Sequence, residues 1–127
     1  MGGQLASVLR PGDVVLVTGE LGAGKTTFVR GACRALGVRG PVTSPTFTIG
    51  QRYPALDGRV VAHLDLYRIE RLEDEDPDLL ADYVGPDTIS FVEWPQDAES
   101  ALAGLATVAH RVRLSHAGGD TRRVEIE

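Results

Sequence analysis

The stretch that decides the fold is Asp13–Thr27, D-V-V-L-V-T-G-E-L-G-A-G-K-T-T. Asp13 to Thr18 is an apolar, β-branched run with no helical period, opened by Pro11-Gly12 and closed by Gly19. Such a run predicts a strand buried on both faces. From Lys25 the pattern changes. Phe28, Val29, Ala32, Cys33 and Leu36 recur at helical spacing, while Arg30 and Arg34 fall on another face. Gly37 then stands where a left-handed helix cap belongs. The chain therefore begins strand, glycine-rich turn, helix.

The turn itself, Gly19-Glu20-Leu21-Gly22-Ala23-Gly24-Lys25-Thr26, fits G-x-x-x-x-G-K-[ST]. Gly22 and Gly24 open backbone conformations closed to other residues. Successive N–H groups from Gly19 through Ala23 and Gly24 can then point inward around phosphate oxygens. The helix that follows adds its N-terminal dipole. Lys25 is placed to reach the β- and γ-phosphates, and the Thr26 hydroxyl to ligate Mg²⁺. Thr27 either hydrogen-bonds the α-phosphate or is an ordinary helix residue; the first reading is preferred. A strand before the motif and a helix after it supply the context a nucleotide phosphate loop requires.

Outward from this unit, Thr46 to Tyr53 alternates as a strand. Asp57-Gly58 marks a turn, and Val60 to Leu66 reads as a further strand, so the two can form a hairpin. Ile69 to Asp87 carries eight of the 18 acidic residues and has a partly amphipathic helical character through Leu72, Leu79, Leu80 and Tyr83, broken by Pro77. Thr88 to Val92 is another short apolar strand, ended by Trp94-Pro95, and Asp97 to Leu105 reads as a short helix. Val108 to Leu114, the Ala117–Asp120 turn and Val124 to Ile126 read as a terminal hairpin. The expected architecture is α/β: a single domain over residues 1–127, with a mixed parallel and antiparallel sheet flanked by helices.

The 127 residues suit one domain. Lys and Arg number 13 against 18 Asp and Glu, a net charge of −5, which disfavours an extended basic face for nucleic acid. Twelve of the 13 basic residues are arginine; the one lysine is Lys25, at the one position where the motif specifies lysine. The single cysteine, Cys33, fits helix packing and a reducing compartment. His63, His110 and His116 show no zinc spacing, and surface or strand positions are expected for all three. No segment has the apolar length to span a bilayer and no signal peptide is seen, so a cytoplasmic protein is expected.

A phosphate loop needs a carboxylate on the Mg²⁺ side and a way to place the attacking water. Asp65 ends the run V-V-A-H-L-D and Glu93 ends T-I-S-F-V-E. At least one belongs in the metal site. Their spacing leaves open which approaches the metal and which acts on water. Thr43-Ser44-Pro45-Thr46 reads either as a switch-like loop at the γ-phosphate or as a proline turn with capping hydroxyls. Trp94 either shields the site or anchors a turn, and Arg68 pairs with the acidic stretch or approaches a phosphate.

Four segments in this order, GELGAGKTT from Gly19, VTSPTF from Val42, HLDLYR from His63 and VEWP from Val92, are similar to one family. The chain resembles the TsaE (YjeE) family, ATPases of bacterial tRNA threonylcarbamoyladenosine (t6A) formation. The resemblance runs from about Leu5 to Ile126. It implies a mixed-sheet α/β domain that binds ATP or ADP with Mg²⁺ and hydrolyses ATP weakly alone. It also implies work with a TsaB–TsaD pair, with tRNA met through those partners. Lys25 and Thr26 take the phosphate and Mg²⁺ roles, Glu93 matches the metal-associated glutamate, Asp65 the aspartate of the DLYR segment, and Thr43 to Thr46 the switch-like loop. Members carry about a helix more before Pro11-Gly12-Asp13 than Gly2 to Arg10 supplies.

A small-molecule kinase would share the phosphate loop, but it also needs an acceptor pocket and a lid rich in arginine. A common GTPase would need N-K-x-D, which a chain without asparagine cannot carry. A non-enzymatic adaptor would keep nucleotide as a structural ligand only.

Overall fold

The computed structural model describes residues 5–19, 24–42, 49–55, 57–66, 78–94, 98–116 and 122–127. Strand β1, Asp13–Gly19, is the apolar run expected, and Val14, Val15 and Val17 are fully buried. It forms the middle of a six-stranded sheet with β2 (Gly50–Pro54), β3 (Val60–Asp65), β4 (Thr88–Glu93), β5 (Thr107–His116) and β6 (Arg122–Ile126). The order is β2-β3-β4-β1-β5-β6. β3, β4, β1 and β5 run parallel, and antiparallel β2 and β6 close the two edges. This is the mixed α/β architecture the sequence predicts, with both hairpins present.

Alternation along the strands divides the core into two faces. On one, Val15, Val17, Val61, Ile89 and Phe91 pack against Phe28, Val29, Ala32 and Cys33 of helix α1, Lys25–Ala35. On the other, Leu16, Ala62, Leu64 and Val92 pack against Leu80, Val84 and Leu102, the last from helix α2, Glu99–Ala103. Helix α1 ends as its sequence demands. Gly37 has φ +94°, its N–H donates to Arg34 O at 3.1 Å, and the Val38 N–H donates to Cys33 O at 3.0 Å. That pair of bonds is the glycine-terminated cap that satisfies the last carbonyls of a helix. Cys33 is fully buried in helix packing, as expected.

Three elements differ from their sequence reading. Among the described residues β2 begins at Gly50, after a bend at Ile49, and Thr46, Phe47 and Thr48 of the expected strand lie outside those residues. Tyr83 is the reason Gly50 suits the first position: a Cβ there would meet its ring carbons at 3.0 Å. Asp78–Tyr83 forms hydrogen-bonded turns, with Asp82 N donating to Asp78 O, and no regular helix. Leu80 and Val84 insert into the core, and this short apolar pair is too brief to sustain a helical face. Helix α2 occupies Glu99–Ala103, the middle of the expected Asp97–Leu105. Gly104 at its end has the lowest helix propensity after proline.

Candidate functional site

β3 and β4 end level with one another and beside Val17, two residues before β1 ends at Gly19. Asp65 pairs in register with Glu93, and Glu93 with Val17. In open α/β sheets this edge is where ligands bind. The chain leaves β1 at Gly19 and re-enters the described structure at Gly24, the residue that caps α1 with φ 90° and ψ 24°. Only a residue without Cβ adopts that conformation cheaply. Helix α1 therefore starts directly above the strand ends, with its N-terminus facing them.

That geometry brings four of the sequence candidates together. Lys25 is 6% exposed; its Nζ donates to Gly19 O at 3.0 Å and lies 4.3 Å from the centre of the Trp94 ring. The Thr26 hydroxyl lies 3.4 Å from Glu93 Oε1 and 3.3 Å from Oε2. Glu93 is buried at the end of β4, and Asp65 is half-buried beside it at the end of β3. Asp65 is held there by its own N–H, which donates to Ile49 O at 2.7 Å. Burial pushes the Lys25 ammonium below its ordinary pKa, and the Glu93 and Asp65 carboxylates oppose that shift. The lysine thus stays near two carboxylates in a partly dry site, where charge interactions are stronger than in water.

Trp94 has φ 54°, the one positive φ of a non-glycine among the described residues. Its N–H donates to Val17 O at 3.3 Å, so the chain turns sharply as it leaves β4 and lays the indole beneath the lysine. Backbone strain of this kind persists where the surroundings over-determine it. The tryptophan both anchors the turn and shields the ammonium, with cation–π geometry. Thr27 is exposed in the first turn of α1. Gly22, Ala23, the Thr43–Thr46 segment, Arg68 and the Ala117–Asp120 turn lie outside the described residues.

One neighbour was not singled out by sequence. His63, expected at an ordinary surface or strand position, is fully buried in β3 and its Nε2 meets Glu93 Oε2. The signal was its spacing. Two residues before Asp65 on a strand, His63 shares that residue's face.

A family model for the threonylcarbamoyl adenosine biosynthesis protein TsaE matches residues 1–124. The chain belongs to the TsaE family. It is 46% identical over 122 residues to the TsaE protein of Streptomyces coelicolor, spanning 95% of this chain and 80% of that one. To the Bacillus subtilis TsaE it is 39% identical over 121 residues, spanning 94% and 72%. The crystal structure of Bacillus subtilis YdiB matches with a TM-score of 0.67 at 29% identity, covering 97% of this chain and 72% of that one. The fold of this TsaE-family chain is thus shared with a solved structure. No helix of the described residues is long and apolar enough to cross a membrane.

Proposed function

We propose that residues 1–127 form one P-loop ATPase domain that works in tRNA threonylcarbamoyladenosine formation, the process that names its relatives. The observation that carries this reading is the Thr26 hydroxyl 3.3 Å from a Glu93 oxygen, directly after a lysine buried at the first glycine of the loop. It joins the end of a phosphate-loop motif to a strand-end carboxylate 67 residues away.

The backbone of Gly19, Gly22, Ala23 and Gly24 would wrap the phosphates of ATP or ADP, with Thr27 at the α-phosphate. Lys25 exchanges its Gly19 carbonyl for phosphate oxygens. The donor set fits Mg²⁺, a hard cation that takes one or two carboxylates alongside phosphates and water. Thr26 and Glu93 would hold it, with Asp65 beside them. Bound there, the ion supplies neutralisation of charge on the β- and γ-phosphate oxygens. The Thr26 contact supports Glu93 on the metal side, which leaves the half-buried Asp65 to orient the attacking water. Lys25 opposes the charge that develops as the γ-phosphate departs.

This is a weak ATPase alone, and a TsaB–TsaD pair completes it in the cytoplasm. The net charge of −5 is consistent with tRNA being met through those partners. The test is ATP hydrolysis measured with and without TsaB–TsaD. Turnover that rises with the pair supports the reading. Absence of turnover under both conditions overturns it in favour of a nucleotide-holding adaptor, and transfer of phosphate to a metabolite overturns it in favour of a kinase.

A further inference from the structure

We propose that His63 is a positioning residue, fixing the carboxylate of Glu93 for the cation and phosphate side of the site; this rests on the ATPase reading above. His63 has no solvent exposure and Glu93 is 2% exposed. The imidazole reaches Glu93 Oε2 through Nε2. In this proposal Nε2–H is the donor, because a carboxylate only accepts hydrogen bonds. The other ring nitrogen, Nδ1, is buried with no hydrogen-bond partner among the described residues. An imidazole kept only for packing would not leave a buried polar atom unpaired, because leucine fills a similar space at no such cost. The polar contact recorded for this ring among the described residues is the one to Glu93.

The consequence is geometric. Glu93 stands buried at a strand end, and the torsions of its side chain must be fixed for its oxygens to face the site. The ring meets Oε2 from the sheet side, while Thr26 Oγ1 faces both oxygens at 3.4 and 3.3 Å from the helix side. Two contacts from two elements set the carboxylate plane, and Oε1 is the oxygen that the imidazole does not engage. Partners one step behind a ligating group commonly act in this way, by orienting it.

The test uses the full chain and the variants His63→Leu, His63→Gln and Glu93→Gln. In His63→Leu the ADP affinity without Mg²⁺ stays within about twofold of the parent, while the gain in ADP affinity on adding Mg²⁺ shrinks and ATP hydrolysis falls about tenfold or more. His63→Gln, whose amide donates from nearly the position of Nε2, recovers most of both. The double variant His63→Leu/Glu93→Gln is no worse than Glu93→Gln alone. Nitrogen-15 NMR of the nucleotide-free chain shows the proton on Nε2 of His63.

A folded His63→Leu with the parent's Mg²⁺ response and hydrolysis overturns the proposal. So do additive losses in the double variant, or a proton on Nδ1 alone. If His63→Leu does not fold, His63→Gln decides: a folded Gln variant with less than about a tenth of parental hydrolysis overturns it. Parental hydrolysis by Glu93→Gln would instead sink the ATPase role of Glu93 itself. An inactive Glu93→Gln beside a fully active His63→Leu sinks only the role of His63.

Discussion

Gly19 passes so close to Leu114 that a Cβ built on it would stand 2.4 Å from the Leu114 carbonyl oxygen. Its φ is +149°, a region side chains rarely enter, and the obstructing atom is backbone of the neighbouring strand β5. The first glycine of the phosphate-loop motif is therefore demanded by the sheet itself. Gly19→Ala is expected to lower stability by about 1–3 kcal/mol through strain alone, with more lost if β5 has to move. Gly24→Ala shares a positive φ of +90° but meets nothing within 4 Å. It should cost about 1–2 kcal/mol. Urea unfolding of the two variants checks this; a Gly19→Ala protein as stable as Gly24→Ala would show that the close approach is unimportant.

The Lys25 ammonium sits between the Gly19 carbonyl at 3.0 Å and the Trp94 ring at 4.3 Å. A planar guanidinium is too broad for that slot and presents its donors in a fixed fork. Lys25→Arg should therefore bind ADP more weakly despite keeping the charge. The loss of one charge-assisted hydrogen bond is worth about 1.5–3 kcal/mol, roughly 10- to 150-fold in affinity. Calorimetric titration with ADP measures it. Parental affinity in Lys25→Arg would mean that the placement of the single lysine is incidental.

Trp94 is the only tryptophan in the chain, and it lies under the ammonium that ADP would draw away. Its emission should change as ADP is added. In Lys25→Ala the nucleotide-free emission should already differ from that of the parent, with no further change on adding ADP. Identical nucleotide-free spectra for parent and variant would show that the lysine does not sense the ring.

The strand and helix around the loop were legible because their signals are local. Val14 to Val17 are apolar without helical period, and Phe28, Val29, Ala32 and Cys33 recur at the period of a buried helix face. Gly37 announced the end of α1 through a backbone conformation that glycine adopts most easily. Asp65 and Glu93 could be named from their strand ends, yet their pairing is a matter of register, which the order β3-β4-β1 sets. The spacing of His63 from Asp65 puts the two on one strand face, but its contact with Glu93 was illegible for the same reason: that partner comes from another strand. Leu80 and Tyr83 misled in the other direction, since tertiary packing holds them without a regular helix.

Cys33 is fully buried on the α1 face, and burial pushes its thiol from 9.0 up to about 12. The folded chain holds the proton that the unfolded chain releases, so the thiol makes no pH-dependent difference below about pH 8 and costs stability as pH rises from 9 towards 12. Between pH 8 and pH 10 the expected loss from this one group is about 1.4 kcal/mol. The fall in urea midpoint over that range should be correspondingly smaller in Cys33→Ala, although that variant starts from lower stability for want of the buried sulfur. The same burial predicts that a thiol-specific reagent at pH 8 labels Cys33 only at the rate of unfolding, and fully in denaturant. Rapid labelling of the native chain, or parallel pH profiles for parent and Cys33→Ala, would place the thiol at the surface and contradict the packing of α1 on the sheet.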